Sequence, residues 1–210
     1  QFVVGATPSF SHQCFAVSLT QDATGAYYLY DFVTDATNFI DYPHIGVWPD
    51  GYYMSAHVYN AAGTSLLNGR LYVFERSAMI NGQTARMQSV DLAKDGSAAQ
   101  YGFLPADLDS ITPPPAGAQA YVIGPNRQFT NRTNLWRVAV TWGATPTLTA
   151  TKTTNSTVGI TTAPCVSNTA AQQNRDCVPQ LGPGGGANVP TDDLDNLSSH
   201  YMYRLSYMNH

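Results

Sequence analysis

The sequence is short of charged residues. Asp, Glu, Lys and Arg together make up 11% of its 210 residues, less than half of the usual share. Lysine occurs only at Lys94 and Lys152, and Glu75 is the only glutamate. Because exposed helix faces rely on Glu and Lys, this scarcity argues against a helical bundle. A total of 10 Lys and Arg, with a net charge of -4, also argues against nucleic-acid binding.

Membrane spans and familiar catalytic motifs are lacking as well. No apolar run approaches the roughly 18 residues that a membrane span needs, and no signal peptide is visible. The chain begins abruptly at Gln1 with strand-like sequence, which indicates a mature or trimmed start. The five histidines are dispersed and no C-x-x-C motif occurs, so zinc binding is disfavoured. G-x-S-x-G, H-E-x-x-H and phosphate-loop motifs do not occur.

Cysteine is scarce, with three residues in the chain. Cys165 and Cys177 flank a polar loop without apolar periodicity, which favours a local disulfide over two free thiols in a reducing compartment. Cys14 lies in an apolar stretch and is either a buried thiol or the partner of a cysteine outside this chain. The expected disulfide, the low lysine content and the many Thr and Asn residues together predict an extracellular protein.

Tyrosine, threonine, glycine and proline are abundant instead, and they are typical of strands joined by tight turns. The first hundred residues read as strands at spacings of roughly 8–15 residues, which predicts an all-β fold. Tyr52–Tyr59 alternates Tyr53, Ser55, His57 and Tyr59 against its other residues. Pro49-Asp50-Gly51 predicts a turn in which glycine supplies a positive φ. Residues 76–80 read as a single helical turn.

The second half of the chain is less regular. Strands are predicted over residues 118–124, 134–142, 147–153 and 201–207, and residues 104–109 lead into a stiff proline loop. From about 154 to 190 the composition is polar and rich in glycine, which indicates one long insertion. No clean boundary divides the chain, so residues 1–210 are treated as one unit.

Recurring hairpins with aromatic residues on both sides of turns suggest four-stranded blades of a β-propeller. A blade takes about 40–50 residues, so the chain would supply four to five of them. A β-sandwich is the alternative architecture. A partial propeller would leave strand edges and an apolar blade face exposed, so further blades or a partner chain are expected to complete the fold.

Two stretches are specific enough to suggest a family. Residues 41–53 read D-Y-P-H-I-G-V-W-P-D-G-Y-Y, and residues 104–109 read L-P-A-D-L-D. With residues 14–18, 22–30, 113–117, 177–180 and 202–207, they resemble a family of large secreted bacterial proteins of unassigned function with a predicted β-propeller. The resemblance implies a propeller, secretion and a full length well beyond 210 residues. It supplies no catalytic residues.

The candidate ligand-binding residues lie in and beside the first of these stretches. Aspartates on turns can bind a sugar hydroxyl or a cation, although they also cap their own turns. Aromatic side chains can stack on sugar rings, although in a propeller most fill the space between blades. The candidates are Asp41, Asp50, Trp48, Tyr52 and Tyr53.

Two acidic segments could offer oxygen ligands to Ca²⁺, namely Asp107 with Asp109, and Asp192 with Asp193 and Asp195. Neither has the glycine and distant glutamate of an EF-hand loop, so solvated loop acids are the alternative. Three N-glycosylation acceptor patterns begin at Asn131, Asn155 and Asn196.

Two functions are compatible with these observations. The first is an extracellular propeller module that binds glycan or protein, or builds a cell-surface assembly, without catalysis of its own. The alternative is a carbohydrate-active hydrolase, sialidase-like or another glycosidase, with its site on one propeller face. Glycosidases commonly use a carboxylate pair that includes Glu, and with Glu75 alone an Asp–Asp or Asp–Tyr site would be required. The sequence neither shows nor excludes catalysis.

Overall fold

The computed structural model describes residues 11–129, 131–155, 176–178, 194–195, 200–202 and 204–209. These described residues are all-β apart from one short helix, as the composition predicted. Its elements in chain order are β1 (His12–Ser18), β2 (Tyr27–Val33), β3 (Phe39–Trp48), β4 (Gly51–Tyr59), β5 (Leu66–Phe74), α1 (Arg76–Ile80), β6 (Met87–Asp91), β7 (Leu104–Leu108), β8 (Ala120–Pro125), β9 (Thr133–Thr141), β10 (Thr147–Asn155), β11 (Asp176–Val178), β12 (Leu194–Asp195) and β13 (Leu205–Tyr207).

Consecutive strands form two antiparallel sheets of four strands each. The first sheet has the order β3-β4-β5-β6, and the second has the order β10-β9-β8-β7 with β13 added beside β7. β1 pairs with β2 and β11 pairs with β12 in two separate two-stranded sheets. Two four-stranded units thus occupy residues 39–91 and 104–155 of the described chain. The sequence had predicted four to five blades of this kind. The connections around α1 and the proline loop lengthen each unit to about 50 residues.

The first sheet is covered on both faces, which makes three layers. Tyr53, Leu71 and Val73 pack with Val122 and Trp136 of the second sheet in one apolar cluster. The residues that alternate with them along β4 and β5 face the other way and form a second cluster with Phe32 of the β1–β2 hairpin and Met79 of α1. These strand residues are Met54, Ala56, Val58, Tyr72 and Phe74. β4 and β5 are nearly continuous buried runs because each of their faces is covered.

The turn between β3 and β4 contains Pro49 and Asp50, since Trp48 pairs with Gly51. The expectation that glycine supplies a positive φ here was wrong, because Gly51 is not among the residues with positive φ. Its small size is what matters: a Cβ on Gly51 would press against the side chain of Val73 and the ring of Tyr53. The alternation predicted for β4 is confirmed, with Tyr53 and Met54 in opposite clusters.

β3 and β7 run side by side in the same direction without being hydrogen-bonded neighbours in a sheet. The N–H of Val47 donates to Oδ1 of Asp107 at 2.9 Å, and Gly46 lies against the backbone of Ala106. β13 continues the series, because Leu205 pairs in parallel with Ala106. Three parallel strands from distant parts of the sequence therefore lie next to one another.

Several element boundaries differ from the sequence prediction. β3 begins at Phe39 rather than His44, β13 begins at Leu205 rather than Tyr201, and β7 occupies a motif expected to lead into a loop. Most of the predicted 154–190 insertion lies outside the described residues. Among the described residues, no helix has the length and apolar character that crossing a bilayer requires.

Candidate functional site

A cluster of histidine and tyrosine side chains lies where the three parallel strands begin. Tyr42 and His44 belong to β3, His57 belongs to β4, Tyr101 precedes β7, and His200 precedes β13. Their rings contact one another at centroid separations of 4.7 to 6.2 Å. We call these five residues the histidine–tyrosine cluster. Three of the five histidines that are dispersed along the sequence thus meet at one place.

Tyr42 has an unusual backbone conformation. The pairing of β3 with β4 shifts register between Asp41 and His44, which is the mark of a bulge. Tyr42 has a φ of 55°, and it is the only described residue other than glycine with a positive φ. Such a conformation is costly for a bulky residue and is found mostly where structure serves function. Oδ1 of Asp41 supports it by accepting the N–H of Tyr42 at 2.8 Å.

The bulge places the ring of Tyr42 at the centre of the cluster. The ring stacks on His57 with an interplanar angle of 18° and meets His44 and His200 edge-on. Its hydroxyl donates to Sδ of Met202 at 3.0 Å. A ring held from four sides in this way is a preorganised surface, because little side-chain freedom remains to be lost on binding.

Two of the three histidines of the cluster, His44 and His57, are neutral at neutral pH because burial lowers the pKa of each. His57 is 4% exposed, and its Nε2 accepts the N–H of Gly102 at 2.9 Å, which leaves the proton of the neutral ring on Nδ1. Burial lowers the pKa of His57 to about 3, with further contributions from His200, His44 and Arg127. Burial also lowers the pKa of His44. Burial and the charge of Asp41 raise the pKa of Tyr42.

Tyr101 is held in place by Arg127. The guanidinium of Arg127 lies 3.3 Å from the centroid of the Tyr101 ring and donates to the backbone oxygen of the same residue at 2.8 Å. The N–H of Arg127 donates to Oδ2 of Asp95 at 2.7 Å. Tyr101 therefore presents a ring whose position is set by a cation and by the neighbouring loop.

An open cavity of about 470 Å³ adjoins the cluster and shares His200 with it. Leu104, Ile123, Met202 and Leu205 form its apolar lining, and Tyr201 and Arg204 also line it. Half-exposed rings beside an apolar recess, with ring nitrogens and hydroxyls between them, can stack on a ligand and hydrogen-bond it. The exposed carboxylate of Asp41 adds an acceptor at the edge of the cluster.

The structure separates the five predicted ligand-binding residues. Asp41 lies at the cluster, whereas Trp48 and Asp50 lie at the other end of β3, roughly 20 Å away for a strand that rises about 3.3 Å per residue. Tyr53 is fully buried and Trp48 is 1% exposed, so their rings fill the space between the two sheets. Tyr52 lies on the opposite face and stacks on Phe15 of the hairpin.

The first pair of predicted metal ligands is bound to an arginine. One guanidinium nitrogen of Arg204 lies 3.0 Å from Oδ2 of Asp107 and 2.7 Å from Oδ1 of Asp109. Asp192 and Asp193 lie outside the described residues, and only the backbone of Asp195 is described. Among the side chains that are described, no group of three His, Cys, Asp or Glu residues is arranged to hold a metal ion. Calcium binding stays a prediction.

The covalent features are described only in part. Cys165 lies outside the described residues and only the backbone of Cys177 is given, so the predicted disulfide stays a prediction. The Sγ of Cys14 lies 3.8 Å from Oδ1 of Asp31. Of the three glycosylation candidates, Asn131 and Asn155 are exposed, and Asn196 lies outside the described residues.

No family model, curated protein or solved structure matches this chain. The resemblance to large secreted bacterial proteins therefore stays a prediction.

The cluster was not predicted from the sequence, because its residues come from distant segments of the chain. Its members are separated by up to 158 positions, from Tyr42 to His200, and only the parallel placement of β3, β7 and β13 brings them together. One local signal pointed to it, since Asp41-Tyr42-Pro43 interrupts the strand pattern where the bulge occurs.

Proposed function

We propose that this chain is part of an extracellular β-propeller that binds a glycan at the histidine–tyrosine cluster and does not catalyse a reaction. The observation that carries the proposal is the convergence of Tyr42, Tyr101 and His200 from three separate strand beginnings onto one partly exposed surface. Ligand sites are commonly built from segments that a rigid scaffold brings together in this way.

The strand arrangement supports the propeller over the β-sandwich. β3 and β7 each begin a four-stranded antiparallel sheet, and they lie beside each other in parallel. β13 pairs in parallel with β7 at the edge of the second sheet. Blades arranged around an axis require such a row of parallel innermost strands, because each blade repeats the direction of the one before.

The outer face of the β1–β2 hairpin supports the expectation of further blades or a partner chain. Leu29 and Val33 on this face are 78% and 53% exposed, and Tyr27 beside them is also exposed. Neighbouring exposed apolar side chains of this size mark surfaces that another element covers. A further blade or a partner chain would cover them in the complete assembly.

A glycan suits the cluster because the site combines ring faces with hydrogen-bonding groups. Tyr42 and Tyr101 offer rings, His200 offers ring nitrogens, and the exposed carboxylate of Asp41 can accept a hydroxyl proton. His44 and His57 are neutral rings, because burial lowers the pKa of each, so they bring no positive charge to the site. Exposed asparagines at the positions of Asn131 and Asn155 are compatible with secretion and glycosylation.

The carboxylates do not favour the hydrolase alternative. Asp107 and Asp109 share Arg204, and Asp35 and Asp91 share Arg70, so both pairs are occupied by a guanidinium. Burial raises the pKa of Asp50, as a general acid requires, but its near partner is Tyr53 rather than a second carboxylate.

Tyr53 is also unsuitable as a nucleophile. A nucleophilic phenol has to lose its proton and reach the substrate, whereas Tyr53 is fully buried. Burial and the neighbouring Asp50 raise the pKa of Tyr53 well above its ordinary range.

The proposal is tested by a glycan array with the full chain, followed by titration of the best ligand. Tyr42→Ala should weaken binding roughly tenfold or more, because it removes the central ring. Tyr27→Ala, which removes an exposed ring from the hairpin, is the matched control and should bind as the wild type does. A panel of chromogenic glycosides should show no turnover.

Two results would contradict the proposal. The first is an array with no retained glycan, or a Tyr42→Ala variant that binds as well as the wild type. The second is glycoside turnover that disappears in Asp50→Asn, which would favour the hydrolase. Cell fractionation of the source organism tests the location independently, since the protein should occur outside the cell.

A further inference from the structure

We propose that the cavity at the end of β3 is a second binding site, which takes a small organic ammonium group through Asp50. The cavity has a volume of about 310 Å³ and lies at the opposite end of β3 from the histidine–tyrosine cluster. Trp48, Pro49, Asp50 and Val140 line it together with the 113–118 loop. The inference is independent of the proposed glycan site, because the two sites share no residue.

Asp50 differs from the other buried carboxylates in its charge environment. Five other carboxylates with largely buried side chains each have a lysine or arginine within 3.0 Å: Asp35, Glu75, Asp95, Asp107 and Asp109. Asp50 forms no ion pair with any described residue. Its Oδ1 accepts the hydroxyl of Tyr53 at 2.9 Å, which satisfies one oxygen without supplying a positive charge.

The surroundings of Asp50 do not neutralise it. The walls are proline, alanine, glycine, valine and Trp48, with Gln119 as a further polar side chain. The indole N–H of Trp142 donates to the backbone oxygen of Asp50 at 2.7 Å rather than to its carboxylate. Arg86 binds backbone oxygens in the same region, but its guanidinium is paired with Glu75 at 2.7 Å.

Asp50 has a half-buried carboxylate that pairs with no lysine or arginine among the described residues, so burial disfavours its charged form. Burial raises the pKa of Asp50, and the hydrogen bond from Tyr53 offsets this only in part. A ligand cation placed beside Asp50 would replace the missing partner through a charge-assisted hydrogen bond. The proline and alanine walls would contact an apolar stem attached to that cation.

The size and the number of ligands favour an organic cation over a metal ion. The cavity corresponds to the volume of about ten water molecules, which accommodates an ammonium group with a short carbon chain. Ca²⁺ takes six to eight oxygen ligands, whereas this cavity has one carboxylate. The ammonium could belong to a free amine or to a lysine side chain of a polypeptide.

The three tryptophans provide a direct measurement. Trp48 lines the cavity and Trp142 is bonded to Asp50, whereas Trp136 lies in the core and serves as an internal control. In ¹⁵N-labelled protein, n-butylammonium at millimolar concentrations should shift the indole signals of Trp48 and Trp142 in a saturable way. The Trp136 signal should stay in place, and 1-butanol, which has the same length without the charge, should bind at least roughly tenfold more weakly.

Variants identify the carboxylate responsible. Asp50→Asn keeps an oxygen that accepts the Tyr53 hydroxyl and should weaken n-butylammonium binding roughly tenfold or more. Asp41→Asn, at the other end of β3, should leave it unchanged. A lysine residue blocked at both ends is compared with n-butylammonium. Tighter binding of the blocked lysine indicates a lysine side chain of a polypeptide as the ligand, and tighter binding of n-butylammonium indicates a free amine. Absence of a saturable shift, equal binding of 1-butanol, or unchanged binding by Asp50→Asn would overturn the proposal.

Discussion

Gly46 on β3 and Ala106 on β7 meet backbone to backbone, so closely that a Cβ on Gly46 would collide with the carbonyl oxygen of Ala106. The contact joins the two four-stranded sheets near the middle of their parallel strands. Backbone atoms cannot move aside as the end of a flexible side chain can, so the separation of β3 and β7 depends on glycine at this position.

Gly46→Ala should therefore destabilise the protein by about 3 kcal/mol, the upper part of the usual range for overpacking. Urea unfolding followed by tryptophan fluorescence measures the change. Gly143→Ala is the matched control, because a Cβ at Gly143 meets no atom within 4 Å, and its effect should stay within about 0.5 kcal/mol. Equal stability of the two variants would contradict the described contact of β3 with β7.

The buried His57 predicts loss of stability in acid. Its pKa falls from 6.5 in the unfolded chain to about 3 in the folded protein, so the folded state resists protonation. Its contribution is fully present above pH 6.5 and decreases as the pH falls from 6.5 toward 3, by up to about 1.4 kcal/mol per pH unit.

His57→Gln tests this dependence, because its amide oxygen can still accept the N–H of Gly102 while the side chain does not titrate. Denaturant unfolding of both proteins across this pH range should show a shallower decline for the variant. The difference between the two curves isolates His57 from the carboxylates that titrate in the same range. Parallel curves would show that His57 is not buried as a neutral ring.

The ion pair of Asp95 and Lys152 predicts that substitution of Lys152 lowers the free energy of unfolding strongly, whereas substitution of the other lysine does not. The carboxylate of Asp95, almost fully buried, lies 2.8 Å from Nζ of Lys152 and also accepts a hydrogen bond from Asn134. Lys152→Met should cost about 3–5 kcal/mol, because it leaves a buried charge without its partner.

The second lysine of the chain is a natural control. Lys94 is exposed, and Lys94→Met should change the free energy of unfolding by no more than about 0.5 kcal/mol. Thermal or urea unfolding distinguishes the two variants readily. In the background of Asp95→Asn the effect of Lys152→Met should shrink, since the charge that needed compensation is gone.

The positive φ of Tyr42 predicts that glycine and alanine variants at this position have the opposite order of stability from the order at an ordinary strand position. At an ordinary strand position glycine is less stable than alanine by roughly 0.5–1 kcal/mol, because it loses more backbone entropy. At Tyr42 the left-handed conformation penalises alanine instead, so Tyr42→Gly should be at least as stable as Tyr42→Ala. The same pair of substitutions at Tyr121, within β8, should show the ordinary order when unfolding is measured.

Local patterns predicted much of the fold. The alternation along β4, the turn at Pro49-Asp50 and the single helical turn at 76–80 all depend on neighbours within a few residues, and the structure has each of them. β7 was missed because Pro105 and Asp107 are unusual in a strand, and here the neighbouring Arg204 and Val47 compensate the carboxylate of Asp107.

The candidate sites were less predictable because they depend on contacts between distant segments. Asp41 and Asp50 were both proposed from one motif, yet the strand between them places them at separate sites. The conformation of Tyr42 and the role of Gly51 were not visible either, since both follow from what the neighbouring strand allows.

Burial of both faces of the β3–β6 sheet determines how the protein responds to partial unfolding. Losing either outer layer would present a broad apolar ribbon to water, and ribbons of this kind associate with one another edge to edge and face to face. Substitutions that loosen the β1–β2 hairpin should therefore cause precipitation and protease cleavage first, well before the inner strands unfold.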